Sequence, residues 1–484
     1  MWRGAVSLAD VSELHARILV FTTSAAVLVL EILAGRLMAP YVGVSLETFT
    51  AIIGTILAGI ALGSAIGGRL ADRYDPATLI GPALAIGGAL AWWSLWIVGV
   101  LGPELGSEPA AIVLLATVSF FAPATVLTAI SPMVAKLRLN SLEDTGKVVG
   151  GLSAFGTAGA LFGTFVTGFV LVAAAPTRPI VMVVGALLVA WGLFETVRIT
   201  RKAPSAALVV VLLASFGIGA TADSPCDFES AYFCGWVAVD EDDASVRYLH
   251  LDTLRHAAVD LDDPTNLKFR YIRLIADVIN STSDGPIDTL HVGGGGFSVP
   301  MYLEATRPGS FNHVLEIDDL LLDVARDELG FVTGPDMVVT IGDARLSIGD
   351  LADDSFDVVI GDAFGGQSVP WHLTTTEFIA EIDRVLRDDG IYVMNLIDGD
   401  ENRFAEWEAA TLRDNFDHVE WIIHPDGIDA RARNQILVAS DRPIPALVFD
   451  PVDGMLVDDI DAFIGGGEVL RDDYAPVEQL AANP

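Results

Sequence analysis

Residues 288–298 read Asp-Thr-Leu-His-Val-Gly-Gly-Gly-Gly-Phe-Ser, a short segment that passes directly into four glycines. A short segment bounded by turn-forming residues predicts a β-strand. Glycines in this place let the backbone approach a ligand and let the following helix begin close to the sheet. The spacing Gly293-x-Gly295-x-x-Ser298 departs from the dinucleotide-binding fingerprint only in its last position. The stretch therefore predicts the first strand and loop of a doubly wound α/β sheet.

Strand and helix patterns alternate beyond Ser281, which is typical of such a sheet. The predicted strands are Asp288–Val292, His313–Ile317, Met337–Ile341, Asp357–Ile360, Ile391–Leu396, Val419–Ile423 and Gln435–Ala439. The predicted helices are Asp319–Leu329, Thr375–Leu386 and Asn402–Asn415. Because two strands follow the last helix, we expect the final strand to be inserted antiparallel.

Four successive strand ends carry glycine or acidic residues. After the first strand these are Gly293, Gly294, Gly295 and Gly296; after the second, Glu316 and Asp318; after the third, Asp343 and Ala344; after the fourth, Asp362. Ligands bind at this edge of a doubly wound sheet, and an acid after the second strand can accept hydrogen bonds from ribose hydroxyls. The series predicts a nucleoside site.

The nucleoside is expected to be an S-adenosyl compound. The sequence contains no Gly-x-x-x-x-Gly-Lys, so it lacks the triphosphate-binding loop. Asp343 follows the third strand, within reach of an adenine amino group, which favours an S-adenosyl ligand over NAD. A ligand without phosphates also tolerates these carboxylates better than a pyrophosphate does.

Residues 223–280 precede the sheet and predict a β-hairpin subdomain with a linking helix. The segment Tyr232–Val259 alternates as strands do, around a turn at residues 240–244, and a helix is expected over Leu267–Ile279. Cys226 and Cys234 are the two cysteines of the chain, too few for a structural zinc site. They form a disulfide if this segment faces outside the cell and remain free thiols if it faces the cytosol.

The charge of the chain is divided unequally between its two halves. The 484 residues include 64 acidic and 28 basic side chains, but residues 1–222 hold only 11 of the acids and 12 of the bases. One uniform soluble fold is therefore excluded, and so is nucleic-acid binding by the acidic half, which repels phosphates. With only four lysines among the bases, the acidic half suggests a protein adapted to high salt, where screening removes self-repulsion.

Residues 1–222 predict a multi-span α-helical bundle in the cell membrane. About seven apolar stretches are candidate spans, of which the last is short: Ile18–Met38, Phe49–Leu70, Leu79–Leu101, Ala110–Ala135, Val148–Val172, Ile180–Val197 and Ala206–Ala220. Lysines and arginines in alternate loops place the N-terminus inside; seven spans then place the acidic half outside, whereas one span fewer places it inside. Gly59, Gly63 and Gly67 lie at helix-packing spacing. Glu31 is either a functional carboxylate or a structural partner of Arg36 or of another helix.

The acidic half resembles the spermidine synthases, and the whole chain resembles their membrane-fused relatives. The resemblance runs roughly from Cys226 to Ala439. Its segments are Glu229-Ser-Ala-Tyr232, Arg247-Tyr-Leu-His-Leu-Asp252, Asp263-Pro-Thr265, His291-Val-Gly-Gly-Gly-Gly296, Leu315-Glu-Ile-Asp318, Gly342-Asp-Ala344, Asp362-Ala-Phe364 and Val369-Pro-Trp-His-Leu-Thr374. The last of these is the most specific.

This resemblance implies a hairpin subdomain (223–280), a Rossmann-type domain with a SAM-methyltransferase-like sheet (281–445) and an acidic C-terminal segment (446–484). It implies aminopropyl transfer from decarboxylated S-adenosylmethionine to a diamine. Glu316 is then expected on the ribose, Asp343 on the adenine, the glycine loop beside the sulfonium arm, and Asp362 as the catalytic carboxylate. Candidate substrate-binding residues are Tyr232, His256, Tyr271 and His372. No metal is expected.

The chain departs from the family pattern on the acceptor side. The family usually has aspartates where Gly296 and Gly365 stand, and a Tyr-His-Glu segment where this chain has Tyr271-Ile272-Arg273. Its two substrate glutamines fall at Phe233 and His256. Arg273 brings positive charge to the place of a dication. His256 and His372 are either bases or structural histidines.

Three functions remain open from the sequence. The first is a membrane-anchored aminopropyltransferase-like enzyme; the second is a SAM-dependent methyltransferase acting on a membrane-linked substrate. The third is a transporter or sensor with a non-catalytic nucleoside- or polyamine-binding domain. The expected donor is S-adenosylmethionine or its decarboxylated form, with no permanently bound cofactor. The expected partners are a small-molecule amine or a membrane-linked substrate, the lipid bilayer and a second copy of the chain.

Overall fold

The computed structural model describes residues 12–106, 108–139, 145–364, 369–399, 401–426 and 433–481. The chain divides into two compact units, Met1–Gly235 and Trp236–Pro484. The first unit continues past the expected boundary at residue 222 because residues 223–235 are tied to the helices. Glu229 pairs with Arg36 at 3.2 Å and accepts a hydrogen bond from the backbone N–H of Thr177 at 3.0 Å.

The first unit is a helical bundle. Its described helices are α1 (Glu13–Val42), α2 (Leu46–Arg73), α3 (Ala77–Leu101), α4 (Pro109–Thr128), α5 (Ile130–Arg138), α6 (Thr145–Val166), α7 (Val172–Ala174), α8 (Thr177–Thr200) and α9 (Ala206–Ala220).

Six helical stretches among the described residues are long and apolar enough to cross a membrane. They are Glu13–Val42, Leu46–Arg73, Ala77–Glu104, Pro109–Arg138, Thr145–Ala174 and Thr177–Thr200. The prediction of seven spans is wrong by one, because Ala206–Ala220 forms a helix of only 15 residues. At about 1.5 Å per residue such a helix is shorter than the ~30 Å hydrocarbon core of a bilayer.

Glycines set the closest approaches between these helices. A β-carbon on Gly63 of α2 would lie 2.2 Å from the carbonyl oxygen of Thr125 in α4, and one on Gly67 would lie 2.3 Å from that of Ala129. Gly159 in α6 has the same relation to Phe21 in α1, at 2.1 Å. The helix-packing role predicted for the glycines of α2 is thus confirmed, since any larger side chain would push the backbones apart.

A pair between Glu31 and Arg36 is not formed. Arg36 instead binds Glu229 and donates to the carbonyl oxygen of Ala231 at 2.7 Å. The same segment contains the disulfide between Cys226 and Cys234, whose α-carbons are 5.3 Å apart.

The second unit begins with the antiparallel hairpin expected before the sheet. Its strands are β2 (Cys234–Val239), which starts in the first unit beside β1 (Phe228–Glu229), then β3 (Val246–Leu251) and β4 (Leu254–Asp260). The linking helix α10 spans Arg270–Thr282, so it begins three residues later than predicted, after Phe269 in extended conformation.

An eight-stranded mixed sheet forms the centre of the second unit in the described part of the chain. Its strands are β5 (Asp288–Val292), β6 (Phe311–Glu316), β7 (Met337–Ile341), β8 (Phe356–Gly361), β9 (Leu386–Asp398), β10 (His418–Ile423), β11 (Arg433–Ser440) and β12 (Met455–Leu456). The strand order is β12-β10-β11-β9-β8-β5-β6-β7. β11 lies antiparallel between β9 and β10, which confirms the predicted insertion of the final long strand.

Helices cover both faces of this sheet. They are α11 (Ser298–Thr306), α12 (Asp319–Glu328), α13 (Ala344–Ser347), α14 (Thr376–Val385), α15 (Arg403–Asn415), α16 (Ile460–Ile464) and α17 (Val477–Leu480). Alternate residues of β8 serve opposite layers: Ile360 is buried in the cluster that contains α10, and Val359 in the cluster that contains α14. The doubly wound α/β architecture is confirmed.

The acidic C-terminal segment is packed onto the sheet domain. Leu470, Val477 and Leu480 are buried in the cluster of α14 and α15, and the carbonyl oxygen of Leu470 accepts a hydrogen bond from the N–H of Thr376. Asp453 forms an ion pair with Arg273 of α10. The segment is therefore part of the folded core.

Candidate functional site

The strand order reverses between β5 and β8, and the candidate site lies at their carboxyl ends. The glycine loop follows β5, with φ of +98° at Gly293 and +49° at Gly295, a region that favours glycine. A β-carbon on Gly293 would lie 2.6 Å from the carbonyl oxygen of Asp362. The first and fourth of the predicted strand ends are therefore direct neighbours, at the place where doubly wound sheets bind ligands.

Glu316, at the end of β6, holds the glycine loop in place. Its Oε2 accepts hydrogen bonds from the N–H groups of Gly294 at 2.7 Å and Gly295 at 3.2 Å. Its Oε1 accepts one from the N–H of Asp318 at 2.9 Å. Burial raises the pKa of Glu316, and the backbone donors act in the opposite direction. The role of this carboxylate on a ribose stays a prediction.

The next two acids cap helices. Asp318 accepts from the N–H of Leu320 at 3.1 Å, and Asp343 accepts from the N–H of Arg345 at 2.8 Å, in front of the buried Ala344. The second oxygen of Asp343 lies 3.3 Å from Nε2 of His372. These two predicted site residues are thus brought together, and the capping geometry fixes the direction of the Asp343 carboxylate.

Asp362 lies partly buried directly after β8. Asn395 of β9 donates a hydrogen bond to its Oδ1 at 2.7 Å, and the hydroxyl of Tyr271 donates another. Burial raises the pKa of Asp362 to about 7, while these two hydrogen bonds lower it. Burial also raises the pKa of Tyr271, so its hydroxyl stays protonated and acts as a donor. A carboxylate that titrates near neutral pH suits proton transfer.

His256, on β4, lies against the glycine loop. A β-carbon on Gly295 would be 3.2 Å from its ring. Burial lowers the pKa of His256 to about 4, so the ring is uncharged at neutral pH. Two of the predicted substrate-binding residues, His256 and Tyr271, therefore lie with Asp362 around one opening.

That opening is a cavity of about 500 Å³ in the second unit. Its lining residues come from the hairpin, α10 and the ends of β8, β9 and β11: Leu254, Arg255, His256, Lys268, Phe269, Arg270, Tyr271, Asp362, Phe364, Asn395, Ile397 and Asn434. The volume is that of a small-molecule site.

Sequence reasoning missed the two asparagines and the basic residues of this cavity. Asn395 and Asn434 lie in β9 and β11, where no sequence motif marked them. Asn395 lies near the carboxyl end of β9, and Asn434 lies beside it near the amino end of the antiparallel β11, so both are at the same edge of the sheet. Arg273, expected to bring charge here, instead donates to Asp453 at 2.8 Å and to the carbonyl oxygen of Lys268 at 3.0 Å. Arg270, one helical turn earlier, lines the cavity.

Two other predicted positions lie elsewhere. Tyr232 belongs to the first unit and is 46% exposed. Gly365 lies outside the described residues. No group of three or more potential metal-ligating side chains occurs among the residues that the structure describes.

Comparison with known proteins gives relatives of part of the chain. The chain is 32% identical over 151 residues to a polyamine aminopropyltransferase of Vibrio vulnificus. The aligned residues are 31% of this chain and 49% of the relative. It is 31% identical over 122 residues to an eEF1A lysine and N-terminal methyltransferase of Bos taurus, covering 23% of this chain and 18% of the relative. The chain thus spans about half, or less, of the length of these curated relatives. No protein-family model matches.

Among solved structures, a probable spermidine synthase from Corynebacterium glutamicum aligns with a TM-score of 0.49 and 25% identity, over 53% of this chain and 99% of that one. The resemblance to polyamine aminopropyltransferases that the sequence motifs indicated is confirmed by the sequence comparison.

Proposed function

We propose that the chain is a membrane-anchored, spermidine synthase-like transferase that uses an S-adenosylmethionine-type donor to alkylate an amine. The observation that carries this proposal is a partly buried carboxylate with a raised pKa, Asp362, that adjoins the glycine loop at the switch point of the sheet. The similarity to polyamine aminopropyltransferases supports it, and the six apolar helices support the anchoring.

The donor site is formed by three strand ends. In this proposal the glycine loop receives the sulfonium arm beside Asp362, and Glu316 and Asp343 follow on the neighbouring strands. In this proposal Glu316 meets the ribose and Asp343 the adenine amino group. A ligand without phosphates suits these carboxylates, and Asp362 favours the nearby positive sulfur.

The chemistry at Asp362 is proton transfer coupled to alkylation. The lone pair of an amine nitrogen forms a bond to the carbon next to the sulfonium. The carbon–sulfur bond breaks, and its electron pair stays on sulfur, which leaves as a neutral thioether nucleoside. Because an alkyl amine enters as an ammonium at neutral pH, the Asp362 carboxylate takes a proton from it before the attack, and the alkylated product leaves as a secondary ammonium. Asn395 and Tyr271 orient that carboxylate.

The test is a product analysis on the full chain in detergent. The protein is incubated with an amine and either decarboxylated or ordinary S-adenosylmethionine, and nucleosides are identified by mass spectrometry. Aminopropyl transfer releases methylthioadenosine from the decarboxylated donor. Failure to release any thioether nucleoside from either donor would contradict transfer and leave a binding or sensing role.

Methyl transfer is the second candidate, and the similarity to the bovine methyltransferase favours it. The same donor edge would serve, but the acceptor would attack the methyl carbon of ordinary S-adenosylmethionine. The product would then be S-adenosylhomocysteine. The mass of the released nucleoside therefore separates the two reactions in one experiment.

A further inference from the structure

The cavity beside Asp362 concentrates positive charge in a domain that is otherwise strongly acidic. Arg255, Lys268 and Arg270 line it, and Asp362 is the only acid among its described lining residues. Residues 223–484 hold 53 acids and 16 bases, so three bases around one cavity run against the composition of the domain. The neutral ring of His256 adds no charge at neutral pH.

The three bases differ in how far neighbouring groups offset their charges. Lys268 lies 3.8 Å from Asp260, and the guanidinium of Arg255 lies 4.4 Å from the ring centre of Tyr248. Arg270 has no ion pair or hydrogen bond to any residue that the structure describes, although the charges of Asp453 and Asp426 act on it from a distance. Its guanidinium N–H donors are therefore left for a ligand.

Arg273, on the same helix, differs from Arg270 because its charge is offset by a carboxylate and two carbonyl oxygens. Its guanidinium binds the carboxylate of Asp453 and the carbonyl oxygens of Leu267 and Lys268. Burial lowers the pKa of Arg270, as do Arg433 and Arg273, while the charges of Asp453 and Asp426 act in the opposite direction. The direct hydrogen bonds to Asp453 raise the pKa of Arg273. An unpaired, half-buried guanidinium facing a cavity is a binding group for a carboxylate.

A diamine fits this cavity poorly. One of its nitrogens can approach Asp362, but the second, as an ammonium, would lie among cations with no other described acid in the lining. Like charges in a partly desolvated site select against a ligand, while an anion in the same place is attracted. The far end of the acceptor should therefore be negative.

We propose that the acceptor is an amine that also carries a carboxylate, with the amine at Asp362 and the carboxylate at Arg270. This inference rests on the proposed function and names its substrate class. A carboxylate can reach the cavity from two sources, the acceptor or the methionine moiety of an undecarboxylated donor, and we assign it to the acceptor. The apolar side chains of Leu254 and Phe269 lie along the cavity to receive the intervening methylenes.

The test compares three acceptors of similar length on the full chain at one fixed salt concentration. These are 4-aminobutanoate, butylamine and 1,4-diaminobutane, which end in a carboxylate, a methyl group and an ammonium. We expect the amino acid to be used with a kcat/KM at least 10-fold above that of the diamine, with butylamine between them. A preference for the diamine would overturn the inference while leaving the proposed function intact; release of no nucleoside with any acceptor would count against the function itself.

Variants at Arg270 test whether this residue binds the carboxylate of the acceptor. R270Q is expected to weaken the apparent affinity for the amino acid acceptor, raising its KM at least 10-fold, and to leave the KM of the donor unchanged; R270K should restore part of the loss. R270E should shift the preference toward the diamine, a change that a merely structural role would not produce. The matched control is R326Q, an exposed arginine on α12. An unchanged acceptor KM in R270Q, or a raised KM for ordinary S-adenosylmethionine instead, would overturn the assignment.

Discussion

Asp362 combines burial with two hydrogen-bond donors, and its pKa of about 7 follows from that combination. In the proposed reaction the carboxylate is useful only when it is ionised, because only then can it take a proton. Its ionised fraction increases as the pH rises through the pKa. The proposed activity is therefore expected to follow this titration.

We expect kcat/KM to rise about 10-fold per pH unit below pH 7 and to level off above it. D362N should lower kcat by about 10²–10⁴-fold and remove this pH dependence. The control is D389N, since Asp389 is exposed near the start of β9, at the opposite end of that strand from Asn395. Steady-state rates from pH 5 to 9 are the measurement; a D362N enzyme with the wild-type profile would contradict the role.

Single residues could be predicted where a strand end marks them. Asp362, Glu316 and the glycine loop were identified because residues that follow parallel strands share one edge of the sheet. Arg270 and Asn395 could not be identified in this way. Which of two arginines one helical turn apart faces a cavity depends on the rotation of α10 against the sheet, and that is a property of packing.

At the scale of elements, the strand pattern of the sheet could be read from the sequence because each run is short, apolar and bounded by turn residues. The antiparallel β11 followed from chain order alone. The packing of the C-terminal segment on the sheet domain could not be predicted, because the segment is mostly acidic and its few apolar residues form no regular pattern. Two of them, Leu470 and Leu480, are buried. The span prediction failed at α9 because apolar composition continues there while the helix has only 15 residues.

The segment between α9 and β2 depends on the ion pair of Arg36 and Glu229, whose side chains are 17% and 13% exposed. Removing one partner leaves a poorly solvated charge, at a cost of about 3–5 kcal/mol. We expect R36M and E229Q each to lower the thermal unfolding midpoint in detergent, and the double variant to recover part of the loss. Additive effects in this double-mutant cycle would show that the pair is not coupled.

At the scale of the whole molecule, charge separates a nearly neutral helical half from an acidic half with a net charge of −37. Self-repulsion on this scale weakens when the screening length falls from about 10 Å at 0.1 M salt to about 3 Å at 1 M. The acidic surface is consistent with folding in concentrated salt, and we propose such an adaptation.

The full chain is therefore expected to unfold at a higher temperature in 2 M than in 0.1 M potassium chloride, by about 5 °C or more. The same measurement in sucrose of equal osmolarity is the control, because sucrose is excluded from the protein surface but does not screen charges. A midpoint that falls with salt, or that sucrose raises equally, would argue against a charge origin.

Calorimetric titration of the full chain with decarboxylated S-adenosylmethionine tests most directly whether the strand ends form an adenosyl site. We predict saturable, one-to-one heat for the wild type and for D389A, and at least 10-fold weaker binding for D343A, because the adenine amino group loses its acceptor. No saturable heat from either this donor or ordinary S-adenosylmethionine, or equal affinity in D343A, would contradict the account.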